Sequence, residues 1–123
     1  MTIHALLVAI DAYAPPINPL YGCRNDMAAL RTYLEARAGA DLQLRVMQDD
    51  EATRETFVAA FRGHLGRAGA GDVALFAFFG HGSEEPSPAE IAALEPTGRL
   101  QTILLHDCGR RVDGKLRDRK SVV

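Results

Sequence analysis

The sequence lacks the features that mark exported and membrane-spanning proteins. It has two cysteines, and the apolar run at residues 5–10 has neither a basic segment before it nor a small-residue cleavage site after it. We therefore interpret that run as a strand rather than as a secretory leader. No apolar run approaches the length that crosses a bilayer. These absences predict a cytoplasmic protein with reduced thiols and no membrane partner.

Signatures of nucleic-acid and nucleotide binding are also missing. Residues 110–123 hold 6 Lys and Arg against 2 Asp and Glu, although the whole chain carries a net charge of −2. This basic tail has no aromatic residue on which a base could stack, so we interpret it as a solvated segment. Neither Gly-x-x-x-x-Gly-Lys-Ser/Thr nor Gly-x-Gly-x-x-Gly occurs, and a nucleotide cofactor has no support.

Three short segments have the character of β-strands. Residues 73–79 are seven apolar residues in a row, and residues 3–10 are apolar apart from His4. Such runs are typical of strands that are buried on both faces of a parallel sheet. Residues 42–46 alternate apolar and polar side chains, which predicts a strand at an edge.

Helical spacing of apolar residues fills the segments between these strands. The first helix is predicted to begin at a cap on Asn25 or Asp26 and to end near Gly39. The second is predicted to begin at Thr53, with a buried stripe of Phe57, Val58, Phe61 and Leu65. This alternation predicts a three-layer α/β/α fold with a mostly parallel sheet of order 2-1-3 and one helix on each face.

A histidine between two glycines follows the third strand directly. Gly80 and Gly82 are free to take backbone conformations closed to other residues, which would leave the His81 imidazole at the carboxyl end of the strand. That end borders the crevice where α/β sheets bind ligands, and residues 21–26 should border it too. Histidine carries protons near neutral pH, so His81 is a candidate catalytic group; the alternative is an ordinary loop histidine.

Segments along nearly the whole chain resemble the caspase-like cysteine peptidases, in particular the metacaspase-type and bacterial members. Residues 4–13 are similar to that family's first strand. Residues 20–26, Leu-Tyr-Gly-Cys-Arg-Asn-Asp, are similar to its Leu-x-Gly-Cys-x-Asn-Asp motif. Residues 79–83, Phe-Gly-His-Gly-Ser, are similar to its catalytic histidine turn. The resemblance implies a single caspase-like catalytic domain over residues 1–123, truncated before its fourth strand.

What the resemblance implies is peptide-bond hydrolysis by a Cys–His dyad. His81 would polarise the thiol and protonate the leaving amine, and the backbone N–H of Gly82 would help to hold the oxyanion. Asp26 would lie in the pocket for the side chain before the scissile bond and favour Arg or Lys there. Asp26 could instead be only a carboxylate at a helix N-terminus. Arg24 could favour an acidic side chain, as in true caspases.

The nucleophile departs from the family's pattern. In that family the thiol lies in an Asp-x-Cys-His-Ser-Gly motif some fifty residues after the histidine. Here Cys108 is the only later thiol, and its segment fits better as the family's earlier His-Asp-Ser loop. Cys108 is therefore a candidate nucleophile without supporting motif residues. Cys23 belongs to the expected substrate-binding segment with Arg24 and Asp26, where it is expected to pack rather than to act in catalysis. Hydrolysis by this chain alone is not expected, and the alternative function is a non-catalytic pseudo-peptidase or interaction module.

The expected partners are a peptide or protein substrate, and a second copy or another protein at the bare outer edge of the third strand. No metal site is predicted, because the adjacent residues His106, Asp107 and Cys108 would rarely converge on an ion together with His81. Some metacaspase-type enzymes need calcium, so the resemblance leaves a calcium requirement open without assigning ligands.

Overall fold

The computed structural model describes residues 1–87, 89, 94 and 97–108, and the backbone of residues 111–112, 115–116 and 120–122. It contains two α-helices, α1 (Cys23–Ala38) and α2 (Arg54–Ala60), and α2 continues as a π-helical turn over Phe61–Leu65. The strands of the described residues are β1 (Ile3–Ala9), β2 (Leu42–Gln48), β3 (Val73–Phe79), β4 (Gly82–Pro86), β5 (Arg99–Leu104), β6 (Arg111–Val112), β7 (Lys115–Leu116) and β8 (Lys120–Val122). Neither helix is long and apolar enough to cross a bilayer.

A parallel sheet of order β2-β1-β3 forms the centre of the fold, as predicted. The first residue of β1, Ile3, pairs with Leu42 of β2 and Val73 of β3, so the carboxyl ends of all three strands lie at one edge. Helix α1 covers one face and α2 covers the other. The predicted α/β/α layering is therefore confirmed.

Strand β1 is the middle strand of the parallel sheet and lies at the centre of the core. Residues 5–10 are all fully buried. Alternate side chains point to opposite faces of the sheet. Leu6 and Val8 pack with Phe57 of α2, whereas Ala5 and Leu7 pack on the α1 side. Burying a leucine contributes about 2 kcal/mol relative to leaving it exposed. Burial on both faces of the sheet therefore explains why residues 5–10 are all apolar.

Strand β3 differs from its prediction as a strand buried on both faces. Val73 is 40% exposed, and the residues from Leu75 to Phe79 are only half-buried. The reason is topological, because β3 is an outer strand of the parallel sheet in the described part of the chain. Phe61, which was predicted to be buried, is 43% exposed beside Phe76 for the same reason.

The start of α1 also differs from its prediction. The N-cap is Gly22, which has no side chain that could accept a hydrogen bond. Asn25 and Asp26 lie inside the helix, and both are exposed. The capping acceptor instead comes from Asp11, which follows β1 and accepts hydrogen bonds from the amides of Cys23 and Arg24 at 2.9 and 3.2 Å. A sequence window cannot show such a cap, because the acceptor lies outside the helix.

Two other predicted helix ends are confirmed. Gly39 ends α1 with a φ of +53°, a conformation that favours glycine. The Thr53 side chain accepts a hydrogen bond from the Thr56 amide and begins α2.

Beyond β3 the chain builds a second, antiparallel sheet of order β4-β5-β8. Residues 82–86 have the polar composition of a loop, but they form β4 and pair with β5. Pairing with a neighbouring strand offsets the cost of ordering these polar residues. Strand β5 lies in this second sheet, outside the parallel sheet.

Candidate active site

The His81 imidazole is held in one orientation at the carboxyl edge of the parallel sheet. Its Nε2 lies 2.8 Å from the carbonyl oxygen of Asn18, in the loop between β1 and α1. A carbonyl only accepts hydrogen bonds, so Nε2 carries a proton in the neutral ring and Nδ1 keeps its lone pair. The half-buried ring is therefore arranged to take up a proton at Nδ1.

The backbone of His81 is held by Tyr13, from the same loop. The His81 amide donates to the Tyr13 hydroxyl at 3.0 Å, and that hydroxyl donates to the carbonyl of Leu104 at 2.7 Å. The two rings also meet edge to face, with centroids 4.9 Å apart. Tyr13 and Asn18 thus fix the main chain and the ring of the candidate base from one short loop.

The Gly82 amide faces away from β5. Gly82 pairs with Ile103, and the Leu104 amide donates to the His81 carbonyl at 2.9 Å. In an antiparallel ladder this pattern makes Gly82 and Ile103 a non-hydrogen-bonded pair, whose amides point outward. The N–H of Gly82, an exposed residue next to the candidate base, is therefore directed away from the ladder.

The two glycines around His81 have different roles from those predicted. Neither adopts a positive φ; among the described residues the glycines that do are Gly39, Gly71 and Gly98. Gly80 is instead required for space, because a Cβ there would lie 2.6 Å from the Tyr13 hydroxyl oxygen and 2.6 Å from the Phe78 ring. At Gly82 the nearest atom to such a Cβ would be a carbonyl oxygen at 3.5 Å, an ordinary contact.

Alanine at Gly80 is expected to destabilise the protein by about 1–2 kcal/mol, because Tyr13 and Phe78 must move apart. The matched change Gly82→Ala should cost less than about 0.5 kcal/mol. Urea unfolding of the two variants measures both values. Equal losses in the two would contradict the steric role of Gly80.

The two candidate specificity residues lie on opposite flanks of α1. Arg24 lines a cavity of about 380 Å³ together with Ala28 and with Gln48 of β2. Its guanidinium lies 3.4 Å from the Asp49 carboxylate. Asp26, two positions further along a helix of 3.6 residues per turn, lies on the other side of the stripe formed by Cys23, Met27 and Leu34. That side faces away from β2, toward the half of the sheet that contains β3, and Asp26 is exposed there.

The Cys23 thiol is engaged with Asp11. Burial, the hydrogen bond that the thiol donates to Asp11 and the nearby carboxylates raise its pKa to about 11. The side chain packs against the α1-side core. A thiol with a raised pKa is a poor nucleophile at neutral pH, so this environment agrees with the packing role expected for Cys23.

Cys108 is 8% exposed, in the turn that follows β5. Two neighbouring side chains tie this turn to the rest of the fold: Asp107 accepts a hydrogen bond from the Arg54 amide at 3.2 Å, and His106 Nδ1 lies 2.8 Å from the Ala12 carbonyl. Within the described residues no three His, Cys, Asp or Glu side chains are close enough together to hold a metal ion.

Asp49 is a supporting residue that the sequence interpretation missed. Its backbone has a φ of +47°, which is uncommon for a residue other than glycine. Its Oδ1 accepts hydrogen bonds from the amides of Asp11 and Ala12 at 2.9 and 3.0 Å. A strained backbone beside a polar network marks functional regions more often than average, but the local Asp-Asp-Glu sequence gives no sign of it.

The fold and the site define the class of this protein. It is an α/β protein with an oriented histidine at the carboxyl edge of a parallel sheet of order 2-1-3. The chain matches the family model of the caspase domain, a peptidase family, over residues 2–118, and it belongs to that family. No curated protein matches it. It is similar to the crystal structure of protein GSU0716 from Geobacter sulfurreducens, with a TM-score of 0.71 and 20% sequence identity over 99% of this chain and 42% of that one. The chain thus spans less than half of that protein, and the likeness shows the fold.

Proposed function

We propose that this caspase domain carries the histidine and the substrate-binding carboxylate of a cysteine endopeptidase. The observation that carries the proposal is the His81 ring, whose Nε2 is held by the Asn18 carbonyl while Nδ1 keeps its lone pair. Nδ1 would take the proton from a cysteine thiol, and the thiolate would attack the peptide carbonyl carbon. The protonated ring would then give its proton to the leaving amine, and water would hydrolyse the acyl-enzyme.

The Gly82 amide is the proposed oxyanion donor. Its outward direction beside His81 supports this role, because a fixed backbone N–H stabilises the charge that develops on the carbonyl oxygen. Gly82→Ala would leave the amide in place and therefore does not test the role. A backbone ester at residue 82 would remove the N–H and should lower kcat.

The proposed nucleophile is neither of the two thiols in residues 1–123 but a further thiol, presented next to the half-exposed strand β3. Two observations support this choice over the thiols that the structure describes. Cys23 donates to Asp11 and has a raised pKa, and Cys108 is 8% exposed. A thiol with a raised pKa is a poor nucleophile, and a buried thiol is poorly accessible to a peptide. The domain alone would then hydrolyse peptides poorly, and the proposed setting is the cytoplasm, where thiols stay reduced.

Asp26 is the proposed acidic group for the side chain before the scissile bond, with a preference for Arg or Lys. Its exposure on the flank of α1 that faces away from β2 supports this assignment. The Arg24 guanidinium lies beside the Asp49 carboxylate on the opposite flank, which weakens the alternative preference for acidic side chains.

The test supplies a fourth strand with a cysteine from a homologous caspase domain and measures hydrolysis of Arg- and Lys-containing peptides. We expect kcat/KM to fall about 10- to 100-fold in Asp26→Asn, mainly through a higher KM, because an unpaired cation in the pocket is costly. Asp50→Asn, an exposed carboxylate on the short turn after β2, is the matched control. Equal activity of Asp26→Asn and the wild type would show that Asp26 does not bind the side chain before the scissile bond. Calcium and a chelator in the same assay test the calcium requirement.

The second candidate function is a non-catalytic interaction module. The observation that favours it is the half-exposed apolar strand β3 at the edge of the parallel sheet, a ready template for another chain. Self-association or partner binding in sedimentation experiments, with no hydrolysis after the cysteine strand is supplied, would favour this function over the peptidase.

A further inference from the structure

The Tyr13 hydroxyl stands where a bond of the β4–β5 ladder would otherwise form. His81 and Leu104 are the next pair beyond Gly82 and Ile103, and the Leu104 amide donates to the His81 carbonyl. In a hydrogen-bonded antiparallel pair the second bond runs from the His81 amide to the Leu104 carbonyl. Here the hydroxyl accepts from the first group and donates to the second. The side chain therefore acts as a one-atom spacer that holds the two strands apart at His81.

We propose that Tyr13 is a positioning residue that sets the place and orientation of the His81 imidazole; this rests on the proposed role of His81 as the base. With the spacer present, the His81 main chain is kept away from β5 and its ring lies edge to face on the tyrosine ring. Without the hydroxyl, the His81 amide loses its acceptor and the main chain of His81 is no longer held at this distance from β5. The resulting movement changes the distance from Nε2 to the Asn18 carbonyl.

Three further observations agree with this role. Tyr13 is 7% exposed, so its hydroxyl has protein partners rather than bulk water. Burial raises the pKa of Tyr13 to about 12, which keeps the hydroxyl protonated and able to donate to Leu104. Gly80 leaves the room that the hydroxyl needs, since a Cβ there would lie 2.6 Å from it.

Tyr13→Phe removes the hydroxyl and keeps the ring, and NMR of the chain as it stands measures the effect. We expect the His81 amide to exchange with solvent at least about 10-fold faster, because it loses a buried acceptor. We expect the ring nitrogen shifts of His81 to move toward a mixture of tautomers, as the Asn18 bond lengthens. Tyr33→Phe is the matched control, because Tyr33 is 57% exposed on α1; it should change neither signal.

Unchanged His81 ring shifts and amide exchange in a folded Tyr13→Phe protein would overturn the proposal. If the variant does not fold, amide exchange in the wild-type protein tests the hydroxyl bridge. The hydroxyl bridge requires the His81 amide to exchange at least about 10-fold more slowly than the outward-facing Gly82 amide, and equal rates would exclude it. None of these readouts needs hydrolysis, so a failed peptidase assay and a failed positioning role are distinguishable.

Discussion

Alanine at His81 is expected to lower kcat/KM for Arg- and Lys-containing peptides at least about 1,000-fold in the protein that carries a supplied cysteine strand. A large loss is expected because the ring serves twice in the proposed mechanism, first as the base that removes the thiol proton and then as the acid that protonates the leaving amine. It should appear in kcat rather than in KM, since the ring acts on the reacting atoms and not on the recognised side chain. Steady-state kinetics of the purified variants measure it.

Two control variants make this result specific. His81→Gln keeps an amide N–H that can reach the Asn18 carbonyl but has no titrating group, so it should be as inactive as His81→Ala. His64→Gln changes a histidine whose Nε2 lies 3.0 Å from the backbone carbonyls of Ala5 and Gln43, and it should retain activity. Turnover that survives in His81→Gln would show that the ring does not carry the proton, and the peptidase mechanism would have to be abandoned.

The architecture was predictable because it depends on patterns along the chain. The run at residues 3–10 is apolar because both faces of β1 are covered, and the alternation at residues 42–46 reflects the edge position of β2. Element order and right-handed connection then leave few topologies. The same reasoning misjudged β3, since an apolar run records what a strand can bury and not what covers it in this chain.

The supports of the candidate site were not predictable in the same way. Asn18 and Tyr13 act on His81 across more than sixty positions of sequence, through a carbonyl and a hydroxyl. A backbone carbonyl has no sequence signature at all, and a tyrosine after a strand is equally consistent with ordinary packing. The candidate histidine could therefore be located from its motif, whereas the geometry that orients it needed the structure.

Asp11 marks the point where fold and site depend on the same group. Its carboxylate accepts hydrogen bonds from the amides of Cys23 and Arg24, and its own amide donates a hydrogen bond to the Asp49 carboxylate. These bonds fix the two ends of the loop that carries Tyr13 and Asn18. The loop can hold His81 only while its ends are fixed, so the stability of the α1 start and the orientation of the ring are coupled.

Replacing Asp11 with alanine is therefore expected to destabilise the protein by about 2–3 kcal/mol, from the lost cap and the lost charge at the start of α1. Asp26→Ala, at one of the two positions that the sequence suggested as the cap, should cost less than about 0.5 kcal/mol, because Asp26 is an exposed side chain inside the helix. Urea unfolding of the two variants at pH 7 measures the difference. Equal losses would show that Asp11 does not cap the helix.

The pH dependence gives a second, independent check on Asp11. Partial burial acts to raise the pKa of this carboxyl, but hydrogen bonds from Cys23 and Arg24 outweigh it and hold the pKa below its ordinary value. A lowered folded-state pKa contributes stability that is fully present above the unfolded value of about 4 and is lost as the pH falls through the folded value. The gap in unfolding free energy between wild type and Asp11→Ala should therefore narrow below about pH 4, and a gap that stays constant down to pH 2 would mean that the carboxylate charge contributes nothing to the cap.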